Sequence, residues 1–320
     1  MGAFKAVDAI KTVAVLGAGN MGQGIAQVFA QAGRRVNLLD VDGPTLERAL
    51  LRIRENIATC VEGNLLSPEM GDVALTLIRP VVGLAQALRE ADYVVEAVIE
   101  DLPLKKQLFR EADSLCPPDV IITSNTSSFK IADIASHMTH PERAVTTHFW
   151  MPAHIIPIVE VVGGDKADPA AVQVCCELLS EVGKKPVLVR KDVPGFVGNR
   201  MQHALVREAI SIVEQGIATA EDVDTVAKLS FGARLPVTGP LESMDLAGLD
   251  LLLNIHDHLL KDLCRDTQPS PLLRKLVAEG KLGTKTGQGF RKWTTDEIEG
   301  VRRAREADLI ARMRDLACNK

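Results

Sequence analysis

The sequence predicts an α/β chain: a doubly wound parallel sheet, followed by an all-α C-terminal domain. Three observations carry this. Val13 to Asp40 reads as strand, glycine-rich turn, helix and strand in that order. Short apolar strand patterns then alternate with helical ones as far as residue 191. At Asp192-Val193-Pro194-Gly195 the alternation stops, and the remaining pattern is helical. The domain boundary is therefore set at 191, giving domains 1–191 and 192–320.

The elements follow in order. Val13-Ala14-Val15-Leu16 is an unbroken apolar run, as a strand buried on both faces should be. Gly17, Gly19 and Gly22 make G-x-G-x-x-G, and Ile25, Val28 and Phe29 recur at helical spacing behind them. Gly33 ends that helix, and Val36 to Leu39 form a second strand closed by Asp40. Residues 44–62 read as a helix with Leu46, Leu50, Ile53 and Ile57 on one face; Ser67-Pro68 turns into another. Further strands are expected at Leu75–Ile78, Tyr93–Ala97, Val120–Thr123, Ala144–Thr147, Ile155–Val162 and Pro186–Val189. A helix from Leu104 and one over 169–182 lie between them. Beyond the boundary, helices are expected over 196–215, 220–230, 245–263, 270–279 and 295–317.

The glycine turn has a chemical reading. Gly17 permits the tight turn, Gly19 lets a pyrophosphate approach the backbone, and Gly22 lets helix pack on strand. Asn20 and Met21 fall at the helix start, whose unpaired N–H groups and positive dipole end favour phosphate. Asp40 falls where a carboxylate accepts from both adenosine ribose hydroxyls and repels a 2′-phosphate, so the expected cofactor is NAD rather than NADP. Arg34 and Arg35 stand just before that strand and are expected in the turn. A glycine-rich turn without a ligand is the alternative; the full order of elements argues against it.

Composition is that of an ordinary soluble chain of 320 residues, 46% hydrophobic and 25% charged. A net charge of −5 gives no footprint for nucleic acid or an anionic membrane. No apolar run approaches the roughly 18 residues of a membrane helix, and residues 1–11 lack the pattern of a signal or transit peptide. Cys60, Cys116, Cys175, Cys176, Cys264 and Cys318 form no C-x-x-C pair and no zinc spacing, so no metal is expected and the thiols read as reduced, in the cytoplasm.

Four polar features fall at the ends of predicted strands, where open α/β sheets hold ligands: Gly17–Gly22, Glu100, Ser124–Ser128 and His148. Glu160 lies inside the apolar run Ile155–Val162, where an ionised carboxylate needs a partner. His148 is an apt one: the pair would hold the imidazole in one tautomer and stabilise its protonated form. A satisfied core histidine and a glutamate on the solvent face of an edge strand fit the same spacing. His154 is the rival base, in a Pro-flanked loop. Ser127 and Asn199 are candidate donors to a substrate oxygen, and Glu100 and Lys105 are candidate ribose and cofactor contacts; the plainer reading of the latter two is an ion pair at a helix start with Lys105 solvated.

These segments carry a resemblance. GAGNMGQGIA, EAVIEDLPLKKQLF, SNTSS, HFWMP…IVEVV, KDVPGFVGNR and KLGTKTGQGF together resemble the L-3-hydroxyacyl-CoA dehydrogenase family over nearly the whole chain. The resemblance implies a Rossmann NAD domain, a helical domain that forms a homodimer, and NAD-dependent oxidation of a 3-hydroxyacyl substrate. It implies His148 as catalytic base, Glu160 as its partner, Ser127 and Asn199 as substrate-binding residues, and Glu100 and Lys105 as cofactor contacts. Two features depart from the family. Met151 stands where the family usually has Asn. From Glu55 through Ile78 there is no Lys or Arg to meet CoA phosphates, while Glu55, Glu62, Glu69 and Asp72 are acidic. The stretch PAHIIPIVEV is similar to relatives acting on non-CoA hydroxy compounds, of the L-gulonate dehydrogenase (lambda-crystallin) and pyridoxine-degradation types. A non-catalytic NAD-binding protein is the reading from another class. A short-chain dehydrogenase is excluded, because the only tyrosine, Tyr93, opens no Tyr-x-x-x-Lys.

Overall fold

A computed structural model describes residues 4–318. Contacts divide the chain into two units, Met1–Asn199 with Arg305–Lys320, and Arg200–Ala304. The end of the chain thus groups with the sheet-bearing unit, not with the helices just before it.

The first unit holds one eight-stranded sheet. Its strands are β1 (Thr12–Leu16), β2 (Arg35–Leu39), β3 (Ile78–Val81), β4 (Tyr93–Glu96), β5 (Ile121–Ser124), β6 (Ala144–Phe149), β7 (Ile158–Gly163) and β8 (Lys185–Val189), in the order β3-β2-β1-β4-β5-β6-β7-β8. β1 to β6 run parallel; β7 is antiparallel to β6 and parallel to β8. The expected parallel sheet therefore holds for six strands and reverses at the seventh. The six-strand order is that of a dinucleotide-binding sheet, with its switch point between β1 and β4.

Alternate residues of the central strands feed two cores. Val13 and Val15, with Tyr93 and Val95, join a cluster on one face; Ala14, Leu16, Val94 and Ile122 join another on the opposite face. That two-sided burial is why these strands read as unbroken apolar runs. Helices α1 (Asn20–Gln31), α2 (Gly43–Glu62), α3 (Pro68–Leu77), α4 (Leu84–Leu88), α5 (Leu102–Leu115), α6 (Ile131–Ile134) and α7 (Pro169–Glu181) cover the sheet.

Two strands sit elsewhere than expected. Leu75 to Leu77 finish α3, whose start is capped by Ser67 accepting from Met70 N, and β3 begins only at Ile78. Ile155 and Ile156 are not strand: both donate their N–H to Pro152 O, and the Lys184 ammonium donates to Ala153 O at 2.6 Å and Ile156 O at 2.9 Å. The strand starts after Pro157, which has no N–H for a ladder.

The second unit is helical. It contains most of α8 (Gly198–Glu214), then α9 (Ala220–Leu229), α10 (Phe231–Arg234), α11 (Pro240–Ala247), α12 (Leu249–Leu259), α13 (Pro271–Ala278) and the start of α14 (Thr295–Cys318). The expected 245–263 helix is broken, because Gly248 takes φ +99 between α11 and α12. The unit encloses an apolar groove of about 590 Å³ lined by Val206, Ile210, Val213, Leu276, Phe290 and Trp293. It also leaves Leu229, Leu241, Leu246 and Leu253 more than half exposed.

Cys60, Cys116, Cys175, Cys176 and Cys264 are free. Burial pushes the Cys60 and Cys116 thiols up to about 11 and Cys175 to about 12, so these three are inert packing residues. The side chain of Cys318 lies outside the described residues. Among the described residues no helix is long and apolar enough to cross a membrane, and no cluster of His, Cys, Asp or Glu is placed to hold a metal ion.

Candidate active site

The glycine turn closes where the fold needs it closed and stays open at one point. Gly17 has φ +103, and a Cβ there would lie 2.7 Å from Ala97 O; a Cβ on Gly22 would lie 1.8 Å from Gly17 O. Gly19 caps α1 without a side-chain hydrogen bond, and a Cβ there would meet nothing within 4 Å. Two glycines are thus demanded by packing. The third opens onto free space at a helix N-terminus, with Asn20 and Met21 in the first turn, which is the cradle a pyrophosphate needs. Asp40 reaches across from the end of β2: its Oδ2 accepts from Ala18 N at 2.7 Å and its Oδ1 from Val41 N at 2.7 Å. Among the described residues neither preceding arginine pairs with this carboxylate. Arg34 pairs with Glu181, and Arg35, which is already in β2, donates to Thr12 Oγ1.

The end of β4 holds a residue the sequence reading missed. Glu96 is 0% exposed. Its Oε1 accepts from Lys105 Nζ at 2.7 Å and Val98 N at 2.7 Å, and its Oε2 from Ser124 Oγ at 2.6 Å. Lys105 is 1% exposed and also pairs with Glu100, at 3.1 Å. It is therefore not the solvated lysine of the plainer reading. Glu100 Oε1 in turn accepts from Thr126 Oγ1 at 2.7 Å and Ser127 N at 3.2 Å. Burial pushes the Glu100 carboxyl up, but the Thr126 hydroxyl and Lys105 outweigh it and hold the group below its usual range. The clue to Glu96 was the one that revealed Glu160: a carboxylate on an apolar strand.

His148 and Glu160 are cross-strand partners in the β6–β7 register. Both are buried, at 8% and 3% exposed. His148 Nδ1 donates to Glu160 Oε2 at 2.8 Å, which leaves Nε2 as the basic nitrogen. Burial pushes the Glu160 carboxyl up; hydrogen bonds from His148, Gly198 N and Val197 N more than reverse this and bring it to about 2. Trp150 Nε1 also donates to Oε2, at 3.2 Å. The imidazole lies between two rings, with centroids 5.6 Å from Trp150 and 5.7 Å from Phe196. Sequence reading named neither ring.

His148 opens onto a cavity of about 310 Å³ that is also lined by Met21, Glu100, Lys105, Ser127, Met151 and Asn199. Asn125 lines it too, and its Oδ1 accepts from Phe149 N at 2.8 Å. That bond fixes the amide orientation, and its NH₂ has no hydrogen-bond partner among the described residues. The fold thus gathers His148, Ser127, Asn199, Glu100, Lys105 and Met21 around one space, with Glu160 directly behind the imidazole. Gly17, Gly19, Asn20, Gly22 and Asp40 form the adjoining turn at the β1 and β2 ends. His154 lines a different cavity, beside Lys184; burial and the Lys184 ammonium depress it to about 4.

A family model, the 3-hydroxyacyl-CoA dehydrogenase NAD binding domain, matches residues 12–193, and its C-terminal domain matches residues 195–293. The chain belongs to the 3-hydroxyacyl-CoA dehydrogenase family. Like its relatives it is an NAD-dependent oxidoreductase. The chain is 35% identical over 304 residues to a 5-formyl-3-hydroxy-2-methylpyridine 4-carboxylate 5-dehydrogenase of Mesorhizobium japonicum, covering 94% of this chain and 97% of that one. It is 38% identical over 288 residues to a probable 3-hydroxybutyryl-CoA dehydrogenase of Bacillus subtilis, covering 88% and 96%. A crystal structure of the pyridine carboxylate dehydrogenase, an NAD⁺-dependent dismutase, superposes with a TM-score of 0.90 at 33% identity, covering 96% of this chain and 99% of that one. As expected from the resemblance, 3-hydroxyacyl-CoA dehydrogenases and a pyridoxine-degradation type stand side by side among the relatives.

Proposed function

We propose that this chain oxidises the 3-hydroxyl of a 3-hydroxyacyl-CoA to the 3-ketone, with His148 as general base. The observation that carries the reading is the Nδ1–H bond from His148 to Glu160 at 2.8 Å, which leaves Nε2 free to take a proton beside Ser127 and Asn199. Gly17, Gly19, Asn20, Met21 and Gly22 would hold the NAD pyrophosphate, Asp40 the adenosine ribose, and Glu100 with Lys105 would add ribose and cofactor contacts. NAD, when bound, supplies the hydride acceptor. Ser127 and Asn199 orient the substrate oxygen. His148 Nε2 takes the hydroxyl proton, and Glu160 stabilises the imidazolium that results. Because the oxidation releases a proton through His148, it is favoured at alkaline pH and the reverse reduction at lower pH.

A second reading is a non-CoA hydroxy acid or ring-bearing alcohol. The near full-length match to the pyridine carboxylate dehydrogenase and the cation-free, acidic stretch from Glu55 through Ile78 support it. One experiment separates them: NADH formation from a panel of 3-hydroxyacyl-CoA thioesters and free hydroxy acids. Turnover of the thioesters, with salt-sensitive inhibition by free CoA, supports the first. Turnover of free acids alone, with no inhibition by CoA, overturns it.

The domain division near residue 191 and a homodimer through the helical part complete the reading. The exposed Leu229, Leu241 and Leu246 support the dimer. The free cysteines suit a cytoplasmic enzyme, and a thioester substrate would place it in fatty acid metabolism.

A further inference from the structure

Glu160 receives four donors, two on each oxygen. Oε1 accepts from Val197 N and Gly198 N, each at 2.9 Å. Oε2 accepts from His148 Nδ1 at 2.8 Å and from Trp150 Nε1 at 3.2 Å. Imidazole and indole therefore draw on the same oxygen. The indole is held there by packing: a Cβ on Gly198 would fall 2.2 Å from its Cζ2.

We propose that Trp150 is a positioning residue that sets how tightly His148 holds its proton, by competing for Glu160 Oε2. The proposal rests on the reading of His148 as the base. A carboxylate oxygen that already accepts one N–H offers less negative potential to a second. The imidazolium gains more from that potential than the neutral ring does, so the indole lowers the stability of the charged form selectively. Its own N–H does not titrate, so the effect is constant with pH. A base works best when its proton affinity matches the operating pH. The remaining charged groups facing the cavity are Glu100 and Lys105; they pair with each other, Lys105 pairs also with Glu96, and neither pair involves Trp150.

The test is NMR of the NAD-loaded protein, so that no substrate has to be known. In Trp150→Phe, which keeps a ring but removes the N–H, the midpoint of the His148 imidazole titration should rise by about half to one pH unit. In the unaltered protein the Trp150 indole cross-peak should move with the same midpoint as His148, because both donors share Oε2. That peak is assigned by its loss in the variant, the other tryptophan being Trp293. Gly198→Ala, which pushes the indole away, should raise the midpoint in the same direction. An unmoved or lowered midpoint in Trp150→Phe overturns the proposal. If that variant does not fold, the Trp150 peak is assigned as the one retained in Trp293→Phe, and its failure to follow His148 overturns the proposal instead. Activity of His148→Gln tests the base assignment separately: a fully active variant removes the base reading, whereas the proton coupling is read from the spectra alone.

Discussion

Replacing Glu160 by Gln tests the centre of the site, because it keeps the shape and removes the charge. The backbone donors Val197 N and Gly198 N hold Oε1 at 2.9 Å, so the amide oxygen of the Gln must face them. Its NH₂ then faces His148 Nδ1, which has to become an acceptor, and the ring proton moves to Nε2. A base with its proton on the wrong nitrogen is disabled, so the alkaline-limit kcat should fall by about 10² to 10⁴. The lost charge acts on a second quantity. Unit charges about 4 Å apart interact by ~4 kcal/mol at an effective dielectric of about 20. Sharing Oε2 with Trp150 and the open side of the cavity reduce this to about 1–3 kcal/mol, or about one to two pH units. The imidazolium loses that stabilisation, so the acid limb of the kcat/KM profile for oxidation should move to lower pH. Stability should respond as well. The Glu160 carboxyl is depressed from an ordinary 4.5 to about 2. A depressed carboxyl contributes stability in full above its unfolded value and loses it as pH falls through its folded value. The unaltered protein should therefore exceed Glu160→Gln by at most about 3 kcal/mol at neutral pH, and the gap should close between pH 4.5 and 2. Steady-state kinetics across pH and denaturant melts at neutral and acid pH measure both. A limb that stays in place, with kcat within threefold, would refute the pairing.

Two further outcomes follow from the same geometry. His148→Gln should lower kcat by about 10² to 10⁴ with NAD affinity unchanged by calorimetry, while His154→Gln, in another cavity, should stay within about threefold; equal losses would leave the assignment of His148 unsupported. Lys105→Met should leave Glu96 buried without its counter-charge and cost about 3–5 kcal/mol, a drop in Tm on the order of 10 °C by calorimetry; a melt within about 2 °C would show that Ser124 and Val98 N satisfy Glu96 alone.

Much of the site was legible because its chemistry is written in local patterns. Glycines 17, 19 and 22 sit between a two-sided apolar strand and a helix, the order in which a dinucleotide-binding turn occurs. Glu160 stood out as a carboxylate in an apolar run. What was not legible depended on contacts between distant segments. Glu96 ends a four-residue strand, and nothing local says that Lys105 and Ser124 converge on it. Trp150 is an aromatic two residues after a histidine in sequence, and only the β6–β7 register brings its N–H to Glu160. The displaced strands have local causes of a different kind. Leu75 to Ile78 is apolar enough for either element, and the Ser67-Pro68 cap extends α3 through Leu77. Ile155-Ile156 satisfies strand periodicity, but Pro157 and the Lys184 ammonium draw that segment into a turn.

The arrangement explains why a site with so many buried charges is stable. Burying one unpaired carboxylate costs several kcal/mol, and Glu96 and Glu160 are both nearly inaccessible. Each is covered by donors from rigid elements. Glu96 collects α5 through Lys105 and β5 through Ser124; Glu160 collects β6 through His148 and the Val197–Gly198 turn through its backbone. Between them Asn125, on the loop after β5, accepts from Phe149 N beside the imidazole, and Glu100 holds Ser127 on the same loop. Lys105 and Glu100 thus tie down the loop after β5 at Ser127, and the same loop, through Asn125, holds the backbone beside His148. Each carboxylate fixes one end of this arrangement. Neutralising either leaves buried donors facing an amide in place of a carboxylate, so substitutions at Glu96 and Glu160 should disturb each other's side of the site more than their separation along the sheet suggests. A double-mutant cycle on kcat with Glu96→Gln and Glu160→Gln measures this directly: a coupling above about 1 kcal/mol is expected, and strict additivity would show that the two carboxylates support independent halves.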